Sequence, residues 1–372
     1  MDANRRASLK QLAALFLRLG VTAFGGPAAH IALMRDEVVR RRAWLTDAEF
    51  LDLLGAASLI PGPSSTEMAI YLGRRQAGWP GIAVAGACFI LPAALMVGMI
   101  AWAYVRFGSL PQVAGLLYGV KPVVIAVIVQ ALWSLRRVAL KTKLVSAMGL
   151  IALAAGFLSV NVAIILLGTG LIVALIQWLS KRWRSLRPPA ALLGVAPFGL
   201  LPLFLVFLKV GAILFGSGYV LLAFLRADLV QRYGWLTEAH LLDAIAVGQI
   251  TPGPVFTTAT FIGYLLGGPS GAVVATVGIF LPSFFYVAAS APLLPRLRQS
   301  ALAGAFLDGV NVAALALMAM ISWQLGRTAI TDALTATIAG GSAVLLVVFR
   351  VNSTWLILGG GAVGLVARLV VQ

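Results

Sequence analysis

Cysteine is nearly absent: Cys88 stands alone in 372 residues. A lone thiol cannot build a disulfide framework or a cysteine metal site, and its place in an apolar run reads as packing. Charge is scarce as well, at 11% of the chain, and acidic charge is the scarcest, with 12 Asp+Glu against 28 Lys+Arg. No His-Glu-x-x-His, Gly-x-Ser-x-Gly or Walker A spacing occurs, so the sequence offers no enzyme constellation and no nucleotide motor. No metal site and no cofactor are expected.

Apolar residues are abundant, at 61%, with a mean hydropathy of +0.99. That composition defines an all-α polytopic membrane protein with the lipid bilayer as its surroundings. A formal charge of +16 would suggest nucleic acid in a soluble chain. Here the basic residues sit between apolar runs, as in Arg40-Arg41-Arg42, Arg136-Arg137 and Lys181-Arg182. They read as positive loops on the cytoplasmic side, and nucleic acid is not an expected partner. Arg5, Arg6 and Lys10 precede an apolar run in the manner of a signal peptide, but Arg18 interrupts it, so the segment reads as retained.

The runs repeat. Six of them, beginning near residue 11, are followed by a basic linker with Pro188-Pro189, and the pattern then restarts near 197. Phe24-Gly25-Gly26 matches Phe215-Gly216-Ser217, Trp44-Leu45-Thr46 matches Trp235-Leu236-Thr237, and Asp52 matches Asp243. Pro61-Gly62-Pro63 returns 191 residues later as Pro252-Gly253-Pro254. After a one-residue slip, Leu91-Pro92 matches Leu281-Pro282. The expected organisation is two homologous repeats, 1–187 and 188–372.

Each Pro-Gly-Pro lies inside an apolar run long enough to cross a bilayer. Proline removes a backbone donor and clashes with the preceding turn, and in lipid such a break survives only inside protein or beside a wet cavity. Paired breaks at matching places point to a transporter's binding site. Thr46 and Glu49 have capping-box spacing, and so do Ser64 and Glu67, which predicts a helix starting on each side of the first break. If 50–72 is a re-entrant hairpin, Arg40-Arg41-Arg42 and Arg74-Arg75 share a face, as positive loops should. With 11–34 crossing straight, each half then has an odd number of crossings and the halves are inverted.

A half-helix start in the membrane presents free N–H groups and a positive dipole end, which suits an anion. Four starts are candidates: after Gly25-Gly26-Pro27, after Pro61-Gly62-Pro63, after Gly216-Ser217-Gly218 and after Pro252-Gly253-Pro254. Proline at the first helical position would waste no donor. Ser64, Ser65, Thr66, Thr257 and Thr258 add hydroxyls, and the alternative reading is a pair of packing kinks. Intramembrane charge is the second signal. Lys121 suits an anion's counter-charge, or snorkels. Asp52 and Asp243 suit a structural role accepting backbone N–H bonds, or a proton relay. Glu67 either caps its helix or carries a proton, and His30 either packs or binds.

Taken together, Phe24-Gly25-Gly26-Pro27, Trp44-Leu45-Thr46 and the twin Pro-Gly-Pro breaks resemble the chromate transporter family in its long form, with two homologous halves in one chain. The resemblance implies a multi-pass protein of the bacterial inner membrane that exports chromate, with sulfate as a competing oxyanion. It does not specify an oligomeric state, and a homodimer stays open. Gly216-Ser217-Gly218 lacks the proline and Glu67 has no counterpart, so the chemistry is expected mainly on the first half. The rival readings are a sulfate or other oxyanion permease and a channel-like anion pathway.

Overall fold

The computed structural model describes residues 7–23, 26–57, 60–108, 110–158, 160–179, 198–214, 221–290, 301–349, 351 and 353–371. All regular structure among them is helical. The first half runs α1 (Leu9–Thr22), α2 (Gly26–Arg35), α3 (Asp47–Ala57), α4 (Ser64–Phe107), α5 (Pro111–Ala139), α6 (Lys143–Phe157) and α7 (Val162–Leu179). The second runs α8 (Leu200–Ile213), α9 (Leu221–Leu225), α10 (Glu238–Ile250), α11 (Thr258–Ser290), α12 (Ala301–Ala329), α13 (Ala333–Val347) and α14 (Ser353–Val371). Among the described residues four helices, α4, α5, α11 and α12, are long and apolar enough to cross a membrane. Trp79, Trp133 and Trp323 are exposed, as interface anchors should be.

The segments before the crossings fold back on themselves. Glu49, at the start of α3, pairs with Arg75 in α4 at 2.6 Å. Helices α3 and the first part of α4 are therefore antiparallel, with residues 60–63 at the tip. Thr46 caps α3 as its spacing predicts: its Oγ1 accepts from the Glu49 amide and its own amide donates to Glu49 Oε2. That backbone N–H, the Arg75 guanidinium and the Thr46 hydroxyl hold the Glu49 carboxyl below its usual range, against partial burial.

The N-terminal run corrects an expectation. Arg18 in α1 pairs with Glu37 beyond α2 at 2.5 Å. A straight crossing of 11–34 would separate them by roughly 28 Å at 1.5 Å per residue, so this run is a second hairpin. Its second-half counterpart is built alike, with Lys209 and Asp228 paired at 2.5 Å. Both second arms end in a π-wound turn, Asp36–Arg41 and Arg226–Arg232.

Helix α4 reverses direction at Gly78 (φ 64°), where only glycine is at ease. The two arms touch backbone to backbone at Gly73 and Gly81. Helix α11 repeats this at Gly268 (φ 60°), with Gly263 against Gly271. The long arms of α4 and α11 run antiparallel to each other. Gly86 packs on Phe284, and Tyr71, on the short arm of α4 that lies against the start of its long arm, hydrogen-bonds Ser290 at the end of the second long arm. At the opposite end Tyr104 meets Phe261 and Asp243. Equivalent helices that run antiparallel are related by an axis across them, so the repeats are inverted. The inversion rests on these contacts rather than on a count of crossings.

The remaining helices are exchanged between halves. Gly119 of α5 packs on Gly360 and Gly364 of α14, while Gly309 of α12 packs on Thr169 and Gly170 of α7. Small residues let these backbones approach, as membrane packing requires. Helix α6 lies along α12 through Gly149–Val312 and Gly156–Met320. The Gln130 side chain reaches the Leu346 carbonyl of α13.

Candidate functional site

The tips of the two Pro-Gly-Pro hairpins meet the opposite half reciprocally. The Gly62 amide donates to the Leu214 carbonyl at 2.6 Å, and the Gly253 amide donates to the Ala23 carbonyl at 2.9 Å. Ala23 and Leu214 are themselves 191 residues apart, so the two bonds are one contact made twice. Each satisfies an amide that the prolines leave outside a helix. Gly62 has φ 138° and Gly253 φ 84°, backbone that favours glycine. Ala23 precedes the first Gly-Gly-Pro, so all four candidate helix starts lie close in sequence to these contacts. Gly25, Gly216, Ser217 and the linker with Pro188-Pro189 fall outside the described residues, as does the Asp52 side chain.

The two tips differ in chemistry. Beside Gly62, a Cβ would fall within contact distance of Glu67 Oε1 and 2.6 Å from Ser283 Oγ. Glu67, Thr66 and Ser283 are each 0% exposed. Both Glu67 oxygens, Thr66 Oγ1 and Ser283 Oγ lack hydrogen-bond partners. Leaving an ionised carboxylate buried and unpaired costs several kcal/mol, so this cluster is built for a partner or a proton. At the other tip Thr257 and Thr258 stand in place of Thr66 and Glu67. They donate to the Pro254 and Val255 carbonyls and are satisfied. A Cβ on Gly253 would meet Ala93 instead of a serine.

Helix α4 begins at Ser64, but its N-cap is Pro63, with no side-chain cap. Ser64 is thus the first helical residue, Glu67 the fourth, and the capping box expected between them does not form. Proline occupies the cap rather than the first helical position. Ser65 is buried and follows directly, while Pro61 lies at the tip before Gly62. Gly26 and Pro27 open α2, whose His30 is buried. The His30 Nε2–H donates to the Ala23 carbonyl at 3.0 Å, and the ring packs edge-on to Phe89. This histidine braces the carbonyl that receives Gly253.

Lys121 is not at the first tip. It pairs with Asp243 at 3.1 Å, and Tyr104 donates to the same carboxylate at 2.7 Å. The expected role of Asp243 in accepting backbone N–H bonds gives way to a charged and a phenolic partner. Sequence reasoning missed Ser283 and Tyr104. The signal for Ser283 was its position opposite Ala93 after the one-residue slip. A separate cavity of about 390 Å³ opens between the α6–α7 turn, α9 and α12, lined in part by Arg226, Arg232 and Gln324.

Broken hairpins that meet across an inverted repeat, with buried polar groups unmatched at one tip, define a two-repeat helical membrane transporter. The family model described as Chromate transporter matches residues 10–176 and 201–365. The chain belongs to the chromate transporter family. A chromate transport protein of Cupriavidus metallidurans is 36% identical over 97% of this chain and 93% of its own length. A probable chromate transport protein of Synechococcus elongatus is 34% identical over 87% and 86%, and a chromate transport protein of Pseudomonas aeruginosa 32% over 86% and 82%. No solved structure matches the chain.

Proposed function

We propose that this protein is a secondary transporter that exports chromate across the bacterial inner membrane, with the oxyanion held at the two hairpin tips. The observation that carries the site is the reciprocal Gly62–Leu214 and Gly253–Ala23 contact, with Thr66 and Ser283 hydroxyls unmatched beside it. Helix starts and hydroxyls supply donors for a tetrahedral dianion without a dedicated cation. Lys121, held by Asp243, contributes at most a more distant positive field. Sulfate has the same shape and charge, and donors of this kind discriminate weakly between the two.

Export needs no nucleotide. An oxyanion leaving a cell that is negative inside gains about 2.3 kcal/mol per 100 mV for each net negative charge carried out, so a bare dianion gains about 4.6 kcal/mol, or roughly a thousandfold gradient. The test is chromate flux in proteoliposomes under an imposed potassium diffusion potential. Movement toward the positive side, saturable and rising with potential, is expected. A sulfate-only flux, or a flux that never saturates, refutes the reading in favour of a sulfate permease or a channel.

A further inference from the structure

We propose that Glu67 takes up one proton whenever a divalent oxyanion occupies the first tip, so that proton and oxyanion cross together with one net negative charge. This rests on the site proposed above. Glu67 lies in the first turn of α4, against Gly62, at the place the oxyanion is to occupy. Its carboxyl is wholly buried and both oxygens are free of hydrogen bonds. An ionised carboxylate and a dianion in one dry pocket repel each other strongly, because little solvent screens them.

The neutral carboxyl behaves differently. Its O–H is a donor, so the protonated residue joins the Ser283 hydroxyl beside Gly62, with the buried and unpartnered Thr66 hydroxyl one residue earlier on α4. The proton forms an O–H bond with a carboxylate oxygen from one solution and leaves to the other when the oxyanion departs. The groups facing Glu67 permit this without competing for the charge. Tyr71 lies one turn further along α4, and Tyr286 lies one turn beyond Ser283 on α11. The Tyr71 hydroxyl is bonded to Ser290, and that of Tyr286 to the Ala212 carbonyl. Arg74 is directed away, onto the Val287 and Ala288 carbonyls. On α3 the titratable residues are Asp47, Glu49 and Asp52, all toward the base of the hairpin, with Asp47 paired to Arg35 and Glu49 to Arg75. The second tip has no carboxyl at the matching place, which limits the count to one proton per cycle.

The stoichiometry is measurable. In proteoliposomes with no pH gradient, the potential that stops net chromate flux is set against a tenfold chromate gradient. One net charge requires about 59 mV, and two require about 30 mV. The wild-type protein should balance near 59 mV and acidify the lumen as chromate enters. Glu67→Gln, neutral at every pH, should balance near 30 mV with no proton movement and a flat pH profile. A wild-type balance near 30 mV with no proton signal overturns the proposal and leaves chromate transport standing. If Glu67→Gln carries no flux, the wild-type balance and the proton signal decide alone. Absence of chromate flux in the wild-type protein overturns both this inference and the function it rests on.

Discussion

The amide of Gly62 is bonded to the carbonyl of Leu214, a residue of the other repeat, at 2.6 Å. The same bond recurs between Gly253 and Ala23. A two-fold relation inside one chain has thus placed both breaks where each is closed by its opposite half. Tip geometry and transport should be inseparable.

Gly62→Ala is the sharpest probe of the tip. The new methyl would collide with the Glu67 carboxyl, and φ 138° is a conformation that alanine resists, at about 1–3 kcal/mol. Initial chromate uptake should fall about tenfold or more with the protein still in the membrane. Gly98→Ala, which meets open space, should transport as wild type does. Equal rates for the two variants would remove Gly62 from the site.

Lys121→Gln should act on stability before it acts on affinity. It strips a partner from Asp243, whose side chain is 3% exposed, and breaking a buried pair costs about 3–5 kcal/mol. Thermal unfolding in detergent should show the loss, and the double variant Lys121→Gln with Asp243→Asn should recover most of it. Lys209→Gln should behave similarly, through Asp228. A stable Lys121→Gln protein with weakened chromate affinity would return Lys121 to the substrate.

The inverted arrangement sets the sidedness of the hairpin bases. In a Cys88→Ser background, single cysteines at Arg42 and Arg232 should react with impermeant reagents from opposite faces. Reaction of both from one face would contradict the antiparallel run of α4 and α11.

Glu49 makes a pH prediction. Its carboxyl is held below the ordinary glutamate range by the Thr46 amide first and Arg75 after it. A depressed carboxylate stabilises the fold above its unfolded value, and the contribution disappears as pH falls through the folded one. Glu49→Gln should therefore melt lower than wild type at pH 7, and the gap should close below about pH 4.5. A gap that stays constant with pH would assign the effect to packing.

Much of this architecture was legible in the residues. Trp44-Leu45-Thr46 and its copy marked the repeat, Thr46 and Glu49 marked a helix start, and charge placement marked the hairpin around Pro61. What escaped depended on contacts between the halves. Nothing local tells that Asp243 will meet Lys121 and Tyr104, or that a serine in an apolar run will face Glu67. The failed capping box has a local cause: Pro63 holds the extended cap conformation, which shifts Glu67 one place beyond the third helical position and turns it inward. The one-residue slip falls between Thr258 and Gly263, just after a 3₁₀ turn at Val255–Thr257 that the first half lacks.

The exchange of helices between halves also orders events during synthesis. The groove on α5 at Gly119 is filled by Gly360 and Gly364 of α14, a helix synthesised long after α5. Until then α5 waits in lipid with an uncovered stripe of small residues, while most of the second half is made. Contacts so distant in sequence close late and slowly. A chain cut short before α14 would therefore fail first in its N-terminal half, where α5 would be left holding an open seam.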